Sequence, residues 1–378
     1  MNKLKSIAFI IPDLDGGGLQ RVALNLLQGF AMEEIPLDLV VANGEGQFKQ
    51  MIPSGVRVID LKIPIQPRFS SVIQIILPLV RYLRKEKPEI LVCHLFTSNV
   101  VAAIAKIIAL SPVKLAFVEH ISLADKKDRL NTLQEKFLPI AMQWLYPTVD
   151  GVIAVSKGLA RELESYLHLK ADSIKTIYNP VLATNLLVKA QAQVEHPWFK
   201  DGELPIILGV GRLVKQKDFT TLIRAFAIVR QFQPSRLVIL GEGEQKDRLM
   251  ALARELGVEN DVAFLGFVEN PYSYMARSSV FVLSSIQEGL PTVLIEAMAI
   301  GTPVVSTNCP SGPDEILANG KYGELVPVGD SKAMADGILR VLSGQVKSVE
   351  ADWINQFTLE AATQHYLNIL GVNKYESV

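Results

Sequence analysis

Short apolar segments alternate with longer amphipathic segments along most of the chain, and this alternation limits the fold more than any other feature of the sequence. The short segments are apolar throughout, which is typical of strands that are buried on both faces of a sheet. In the first half they lie at Ile7–Ile11, Leu37–Ala42, Val56–Leu61, Ile90–His94, Lys114–Glu119, Gly151–Val155 and Ser173–Tyr178. Helical periodicity between them predicts parallel strands joined by right-handed helical crossovers.

The alternation stops near the middle of the chain and then resumes. Residues 181–204 have no clear strand pattern, so we interpret them as a linker with one short helix near Leu186–Gln193. Strand patterns return at Ile206–Val210, Arg236–Leu240, Val262–Leu265, Val280–Leu283 and Pro303–Ser306. The sequence therefore predicts an α/β chain with two doubly wound parallel-sheet domains, residues 1–180 and 205–356, that bind their ligand in the cleft between them.

Composition excludes several other classes of protein. Apolar residues make up 49% of the 378 residues and charged residues 20%, which excludes a disordered chain, a collagen and a small disulfide scaffold. The net charge of −1 argues against a nucleic-acid binder. The only cysteines are Cys93 and Cys309, so a disulfide framework is excluded and a cytoplasmic location is expected. No membrane-spanning helix is expected, because no apolar stretch reaches about 18 residues.

Two loops that follow predicted strands have residues suited to binding phosphate. The first contains Gly17 and Gly18, where glycine lets the backbone approach a ligand closely and free amides at a helix start attract anions. The second contains Gly211, Arg212 and Lys217, where an arginine can bind a diphosphate bidentately and a lysine adds a point charge. The alternatives are a tight strand-to-helix turn for the first loop and a solvated basic loop for the second.

A third segment places two carboxylates around a predicted helix start. Glu288 falls on a loop and Glu296 lies about one turn into the helix that begins near Thr292, so both can reach one ligand from different directions. The amides of Thr292 and Val293 are uncommitted and can hold phosphate. Glu296 lies among apolar residues, where a carboxylate needs a hydrogen-bond donor such as a ribose hydroxyl. The alternative for a glutamate on a helix is a solvated face.

Together these segments resemble the donor-binding motif of retaining GT-B glycosyltransferases of the family 4 type, which use nucleotide sugars. The two acids have the spacing Glu288-x7-Glu296, and Gly289, Leu290 and Pro291 lie between them. The resemblance extends over nearly the whole chain through Gly16–Gly18, Val155–Lys157, Tyr178–Pro180, Gly211–Arg212 with Lys217, and Asn308–Ile316. In one departure, Gly-Leu-Pro follows Glu288 directly, where the family often has Gly-Phe-Gly-Leu-Pro, and this puts the shape of the sugar pocket in question.

The resemblance implies a role for each matching residue. The residue that matches Glu288 contacts the donor sugar, and the one that matches Glu296 binds the nucleotide ribose. Arg212 and Lys217 would hold the diphosphate and stabilise it as it leaves, and His120 would meet the donor sugar. The alternative for His120 is a packing or capping histidine. The implied catalytic residues are Arg212, Lys217, Glu288 and His120, and the implied donor-binding residues are Gly17, Gly18, Gly211, Gly289, Leu290, Pro291, Thr292, Val293 and Glu296.

The resemblance also implies the architecture and the reaction. The GT-B fold has two Rossmann-like domains facing a cleft, and its final helix crosses back, which assigns residues 357–378 to the first domain. The reaction would move a hexose-type sugar from a nucleotide diphosphate sugar, with UDP the commonest nucleotide, and would retain the anomeric configuration. The leaving diphosphate would take the acceptor's proton while the acceptor attacks the same face of the sugar. No metal and no other cofactor are expected.

The acceptor that the resemblance implies is a glycan or a polyprenyl-linked sugar in the synthesis of bacterial surface polysaccharide or lipopolysaccharide. Peripheral contact with the anionic inner face of the cytoplasmic membrane fits a basic and apolar patch on the predicted second helix; the alternative is an ordinary amphipathic helix packed on the sheet. The patch comprises Ile73, Ile76, Leu77, Val80, Arg81, Arg84, Lys85 and Lys87, with Lys126, Lys127, Arg129 and Trp144 as further candidates. Two other functions remain open: a disaccharide synthase or phosphorylase that uses a sugar phosphate, and a non-catalytic nucleotide-binding module.

Overall fold

The computed structural model describes residues 6–15, 18–63, 70–120, 140–182, 185–200 and 202–372. Contacts divide the chain into two compact units, and each contains a parallel sheet. The first unit comprises the residues up to Pro180 and those from Thr358 onward, and the second comprises Val181–Phe357. The chain therefore leaves the first unit at Pro180 and returns to it after Phe357.

Among its described residues, the first unit contains a seven-stranded parallel sheet with the strand order β3-β2-β1-β4-β5-β6-β7. Its strands are β1 (Ile7–Ile11), β2 (Leu37–Val41), β3 (Arg57–Asp60), β4 (Ile90–His94), β5 (Lys114–Glu119), β6 (Gly151–Ala154) and β7 (Lys175–Thr176). Its helices before Pro180 are α1 (Gly18–Met32), α2 (Ser70–Glu86), α3 (Phe96–Ala109) and α4 (Lys157–Tyr166), and residues 140–145 are also helical. Every residue of β1 and β4 is buried, as expected at the centre of a sheet that is covered on both faces.

The second unit, as far as its residues are described, contains a six-stranded parallel sheet with the order β10-β9-β8-β11-β12-β13. Its strands are β8 (Ile206–Val210), β9 (Arg236–Leu240), β10 (Val262–Gly266), β11 (Val280–Leu283), β12 (Val304–Thr307) and β13 (Glu324–Val326). Its helices are α5 (Leu186–Ala190), α6 (Phe219–Phe232), α7 (Lys246–Glu255), α8 (Pro271–Ala276), α9 (Thr292–Ile300), α10 (Pro313–Ile316), α11 (Ser331–Leu342) and α12 (Ala351–Asn355). The strand order reverses between β8 and β11, which places the loops after these two strands side by side at the carboxyl edge, where ligands of such sheets bind.

The core of the second unit is built around α6, which packs against α11. Leu222, Phe226 and Val229 of α6 are fully buried, at the spacing of one helix face. Asp218 caps the start of α6, because its carboxylate accepts a hydrogen bond from the Thr221 amide at 3.3 Å. The cap fixes the end of the segment that connects β8 to this helix.

Residues 181–204, interpreted above as a linker, lie within the second unit. Leu186 and Ala190 of α5 are buried, and α5 packs on α8. The Asn270 amide donates to the Lys189 carbonyl at 2.9 Å, and the Arg277 guanidinium donates to the Ala190 carbonyl at 3.1 Å. The segment is therefore not a free linker. The apolar face of its short helix packs on α8, and the polar side chains at the two ends of α8 donate hydrogen bonds to its carbonyls.

The last helix, α13 (Leu359–Leu370), packs against α1 of the first unit. The Tyr366 ring lies edge-on to the Phe30 ring, with the two centroids 6.3 Å apart. Phe357, which lies just before this helix, is the last residue of the second unit, and Val181 is the first. The Val181 amide donates to the Phe357 carbonyl at 3.0 Å, so the two ends of the second unit are hydrogen-bonded to each other.

The patch on α2 that was predicted to face a membrane is only partly exposed. Val80 is buried and Ile76 is half-buried, because the apolar face of the helix packs inside the first unit, whereas Leu77 is exposed. Its exposed basic residues are Arg81, Arg84, Lys85 and Lys87, and Trp144 is exposed as well. The side chain of Ile73 and the residues Lys126, Lys127 and Arg129 lie outside the described residues. Within the described ranges, every helix is too short or too polar to cross a membrane.

Gly29→Ala is expected to destabilise the first unit by up to about 2 kcal/mol, which is an overpacking penalty of about 1–3 kcal/mol less a helix-propensity gain of about 1 kcal/mol. A Cβ atom on Gly29 would lie 2.0 Å from Thr363 Oγ1 of α13, and that oxygen is held because it donates to the Leu359 carbonyl at 2.7 Å. Chemical unfolding measures the change. Gly151→Ala is the matched control, because the heavy atom nearest to its Cβ would lie 4.0 Å away. Equal unfolding midpoints for the Gly29 variant and the wild type would contradict this packing.

Candidate active site

The loop after β8 carries the two cations of the predicted phosphate site. Gly211 follows the strand, and its amide donates to the Leu240 carbonyl of β9 at 2.9 Å. The Arg212 side chain is exposed and makes no hydrogen bond or ion pair with any residue that the structure describes. Lys217 ends a 3₁₀ turn (Lys215–Lys217), and its side chain is 18% exposed. The loop therefore presents an exposed guanidinium and a mostly buried ammonium.

Two glycines after β9 bring backbone directly against this loop. A Cβ atom on Gly241 would lie 2.0 Å from the Gly211 carbonyl oxygen, and one on Gly243 would lie 2.4 Å from the Leu213 carbonyl oxygen. Gly241 also has a φ of 135°, which an L side chain rarely adopts. Because the neighbouring atoms belong to the backbone and not to movable side chains, β9 fixes the position of the loop that carries Arg212.

Lys217 forms an ion pair with Glu288, which lies on the loop after β11. Lys217 Nζ is 2.6 Å from Glu288 Oε1, and the Glu288 side chain is 8% exposed. The Ser285 hydroxyl donates to the same oxygen at 2.6 Å. Burial strengthens the attraction relative to a surface pair, because less water screens the two charges. The fold thus brings the first acid of the motif to the lysine that was predicted to hold the diphosphate.

The helix start predicted to hold phosphate follows Glu288 closely in the sequence. The segment Gly289–Pro291 connects Glu288 with α9; within it Leu290 is buried and Gly289 is half-buried. Helix α9 begins at Thr292, and no side chain of the described residues caps it. The first amides of the helix, those of Thr292 and Val293, are therefore suited to bind an anion, which the helix dipole also favours.

Glu296 lies on the second turn of α9 and is 8% exposed. The Tyr272 hydroxyl, at the start of α8, donates to Glu296 Oε1 at 3.2 Å. A buried carboxylate is stable only where hydrogen-bond donors satisfy it, and Tyr272 supplies one. The predicted ribose-binding acid is therefore held inside the second unit and not on a solvated face.

Cys309 is a buried thiol near the Lys217–Glu288 ion pair. Burial, and to a smaller degree the charge of Glu288, raises the pKa of the Cys309 thiol to about 12. The thiol is therefore protonated at neutral pH and is unsuited to nucleophilic chemistry.

In the first unit, His120 follows β5 and contacts His94 at the end of β4. His94 Nδ1 and His120 Nε2 are 2.9 Å apart, so the two rings share a hydrogen bond. Burial lowers the pKa of His120 to about 3, and burial together with the neighbouring His120 lowers the pKa of His94. Both rings are therefore neutral at physiological pH, and His120 can take part in a hydrogen bond but carries no charge. His94 was not predicted as a site residue, although a visible signal existed: one predicted strand ends at His94, and the next along the chain is followed directly by His120.

Glu119, which ends β5, is a second buried group that the motifs did not indicate. The Asn99 amide of α3 donates to Glu119 Oε1 at 2.6 Å, and the Tyr146 hydroxyl donates to the same oxygen. Burial raises the pKa of Tyr146, and the negative charge of Glu119 raises it further. These contacts satisfy the carboxylate and fix the backbone that leads into His120.

The glycine-rich loop of the first unit is only partly described. Gly18 begins α1, and Gly17 lies outside the described residues. Ahead of it, Asp13 Oδ1 accepts hydrogen bonds from the Gln20 side chain at 2.9 Å and from the Asp15 amide at 3.1 Å. These bonds fix the approach to α1, and the role of Gly17 and Gly18 at a phosphate stays a prediction.

The predicted residues of the second unit lie on the loops that follow β8 and β11 and on helix α9, which comes after the second of these loops. They are Gly211, Arg212, Lys217, Glu288, Gly289, Leu290, Pro291, Thr292, Val293 and Glu296. Ser285 and Tyr272, which hold the two acids in place, were not predicted from the sequence. No group of three or more His, Cys, Asp or Glu side chains placed to hold a metal ion occurs in the described ranges.

Gly241→Ala is expected to destabilise the second unit by about 1–3 kcal/mol more than Gly257→Ala, because the Gly211–Arg212 loop must move to admit the new side chain. The Cβ would lie 2.0 Å from the Gly211 carbonyl oxygen. Chemical unfolding measures the loss. Gly257→Ala is the control: its φ is also positive, at 67°, but its Cβ would meet no atom within 4 Å. Equal unfolding midpoints in the two variants would show that the loop is not held by this contact.

The histidine pair predicts that the first unit loses stability in acid. The pKa of His120 is about 3 in the folded chain against an ordinary value of 6.5, so the unfolded chain binds more protons between these values. Stability therefore falls as the pH drops below 6.5, by at most about 1.4 kcal/mol per pH unit for this one group. Chemical unfolding between pH 7 and pH 5 measures the slope, and His120→Gln should reduce it. An identical slope in the variant would contradict a neutral, buried His120.

The sequence matches two family descriptions, one on each part of the chain. Glycosyltransferase Family 4 matches residues 16–183, and Glycosyl transferases group 1 matches residues 191–357. The second match contains all the predicted site residues from Gly211 to Glu296.

Individual relatives are glycosyltransferases as well. The N-acetylgalactosamine-N,N'-diacetylbacillosaminyl-diphospho-undecaprenol 4-alpha-N-acetylgalactosaminyltransferase of Campylobacter jejuni is 38% identical over 57% of this chain and 56% of its own length. The chain thus spans little more than half of that relative in the match. The lipopolysaccharide core biosynthesis glycosyltransferase LpsE of Rhizobium meliloti is 28% identical over 94% of this chain and 96% of its own.

Solved structures show the fold. The Anabaena protein HepE, solved in complex with UDP-glucose, superposes with a TM-score of 0.76 at 21% identity, covering 97% of this chain and 100% of HepE. The predicted GT-B fold class, with its two parallel-sheet domains, is confirmed. With the two family descriptions covering most of its length, the chain belongs to the GT-B glycosyltransferases of the family 4 and group 1 type.

Proposed function

We propose that this protein is a retaining glycosyltransferase that moves a hexose-type sugar from a UDP-sugar to a glycan or lipid-linked acceptor, in the synthesis of lipopolysaccharide or another surface polysaccharide. The observation that carries the proposal is the Lys217–Glu288 ion pair, at 2.6 Å, which joins the loop that carries Arg212 to the loop that leads into α9. It puts the cations that a leaving diphosphate needs next to an acid that can orient a sugar.

The cationic groups of the second unit suit a diphosphate. The Lys217 ammonium has three N–H donors and gives one to Glu288, so the others can bind phosphate oxygens. Arg212 can bind the diphosphate bidentately, and the amides of Thr292 and Val293 add partial positive charge. These groups would stabilise the negative charge that develops as the diphosphate leaves, and we propose that they do so without a bound metal.

The two acids suit the rest of the donor. Glu288 can accept a hydrogen bond from a hydroxyl of the sugar, and Glu296, oriented by Tyr272, can accept from the ribose hydroxyls. Gly211 and the segment Gly289–Val293 would face the donor mainly through their backbone. His120, a neutral hydrogen-bonding group, stays the proposed contact of the first unit to the sugar.

The surroundings of Glu288 support transfer with retention by a same-face route. Its charge is paired with Lys217, and its Oε1 accepts a second hydrogen bond from Ser285, which together lower the nucleophilicity of the whole carboxylate. In the proposed step the bond between the anomeric carbon and the diphosphate oxygen breaks, and the acceptor oxygen bonds to that carbon on the same face. The acceptor's proton passes to an oxygen of the departing diphosphate.

The relatives support the choice of donor and acceptor. The C. jejuni enzyme is named for a sugar linked to diphospho-undecaprenol, LpsE is named for lipopolysaccharide core biosynthesis, and HepE was solved with UDP-glucose. We therefore propose a UDP-sugar as donor and a glycan or polyprenyl-linked sugar as acceptor.

We also propose that the enzyme acts in the cytoplasm, at the inner face of the membrane. The exposed cations of α2, Arg81, Arg84 and Lys85, can attract anionic lipid head groups. The two buried, unpaired cysteines, Cys93 and Cys309, fit a reducing compartment.

Lys217→Ala and Glu296→Ala are each expected to lower transfer from the favoured donor by about 100-fold or more, because each removes a group that binds the diphosphate or the ribose. A thermal-shift screen against UDP-, GDP- and ADP-sugars identifies the donor, since a bound donor raises the melting temperature by mass action. Turnover is then measured with that donor, and NMR of the product should show the anomeric configuration of the donor. Lys321→Ala is the matched control, because it breaks an exposed ion pair of the same unit, Lys321–Glu350 at 2.7 Å, and should leave turnover unchanged.

Three outcomes would contradict the proposal. Full turnover by both the Lys217 and the Glu296 variant would remove the assigned site. Activity with glucose 1-phosphate but with no nucleotide sugar would favour a sugar-phosphate enzyme on the same fold. Tight binding of a nucleotide sugar with no turnover of any acceptor would favour a non-catalytic nucleotide-binding module.

A further inference from the structure

Two consecutive serines follow β11, and each reaches one partner of the Lys217–Glu288 ion pair. The Ser284 hydroxyl donates to the Lys217 carbonyl at 2.8 Å, and the Ser285 hydroxyl donates to Glu288 Oε1 at 2.6 Å. Both serines are buried, with 2% and 0% of their surface exposed. The end of one strand therefore fixes the backbone of the lysine and the carboxylate of the glutamate together.

The donors to Glu288 are distributed unevenly over its two oxygens. Lys217 Nζ and Ser285 Oγ both lie 2.6 Å from Oε1, whereas Oε2 accepts no hydrogen bond from the residues that the structure describes. A carboxylate has acceptor sites on both oxygens. The protein thus holds one oxygen with two donors and leaves the acceptor capacity of the other to a ligand.

Ser285 is itself held rigidly. The Thr307 hydroxyl, at the end of β12, donates to the Ser285 carbonyl at 2.6 Å. The next residue, Ile286, donates its amide to the Gln216 carbonyl at 2.9 Å, and the Gln216 side chain donates to the Gln287 carbonyl at 2.9 Å. The hydroxyl therefore projects from a backbone that is anchored to the neighbouring strand and to the loop that carries Lys217.

Other buried serines of this unit satisfy their hydroxyls with backbone carbonyls. The Ser306 hydroxyl donates to the Thr307 carbonyl, and the Ser235 hydroxyl donates to the Gln233 carbonyl. Ser285 instead gives its hydrogen bond to a charged carboxylate, which makes a stronger bond and fixes the rotation of the Glu288 side chain. Lysine alone fixes that rotation less well, because its ammonium is a point charge on a flexible stem.

We propose that Ser285 is a positioning residue for the sugar part of the donor: with Lys217 it occupies Oε1 of Glu288, and so presents Oε2 to a hydroxyl of the sugar. This inference rests on the function proposed above, and it adds a residue outside the Glu-x7-Glu motif. Because the effect passes through Glu288, the loss of the Ser285 hydroxyl should weaken recognition of the sugar and spare recognition of the nucleotide.

The test compares UDP with the UDP-sugar that the thermal-shift screen selects, using calorimetric titration of the full chain. Ser285→Ala should lower the affinity for the UDP-sugar about tenfold, the effect of losing one hydrogen bond to a charged group, and leave the affinity for UDP within about twofold. Ser285→Cys keeps the side-chain shape with a somewhat larger atom but donates weakly, and it should show the same selective loss. Ser235→Ala is the matched control, because it also removes a fully buried hydroxyl from this unit and should change neither affinity.

A double-mutant cycle separates a positioning role from a purely structural one. In the background of Glu288→Ala, the Ser285→Ala change should have no further effect on affinity for the UDP-sugar, because the group through which it acts is absent. Additive losses in the double variant, or an equal loss of UDP and UDP-sugar affinity in both Ser285 variants, would overturn the role of Ser285 alone. If the wild-type chain bound UDP but no UDP-sugar, or bound neither, the proposed donor would fail, and the role of Ser285 would fail with it.

Discussion

The attraction between the Lys217 ammonium and the Glu288 carboxylate joins two loops that are 71 residues apart in sequence, and the geometry of the second unit's site depends on it. The loops meet because β8 and β11 are neighbours at the reversal of strand order, where loops after adjacent strands lie side by side. Each charge is mostly buried, so removal of either partner leaves an uncompensated charge in a site of low polarity. The pair therefore serves the fold and the proposed chemistry together: it holds the loops at a fixed distance and keeps a cation where a diphosphate would leave.

Much of the architecture could be predicted because the central strands are continuous apolar segments. β1, β4, β5, β8, β9 and β11 have the predicted bounds. β13 (Glu324–Val326) and the helix α10 (Pro313–Ile316) were not predicted, since elements of three or four residues carry too little periodicity to be recognised. The segment 181–204 shows a related limit. Its composition is typical of a linker between domains. Only the hydrogen bonds from Asn270 and Arg277, at the two ends of α8, to carbonyls of α5 reveal that it is part of the second unit.

The candidate site divides in the same way. The acids and cations of the motif could be found from their spacing, because each lies at a fixed offset from a strand end or a helix start. The residues that orient them could not. Tyr272 reaches Glu296 across 24 residues, and His94 reaches His120 across 26, so these contacts exist only once the strands and helices are packed. Spacing also cannot show which oxygen of Glu288 is already occupied, and that detail decides which atom faces a ligand.

The hydrogen bond from the Val181 amide to the Phe357 carbonyl has a consequence for how such a chain can vary. The first and last residues of the second unit lie next to each other, so this unit is an insertion in the first unit whose two connections are adjacent. An inserted unit of this kind can be exchanged between homologous proteins without a change in the length of either connection. Recombination, natural or in the laboratory, can then exchange the residues proposed to bind the nucleotide as a block, while the two flanking parts of the first unit stay intact.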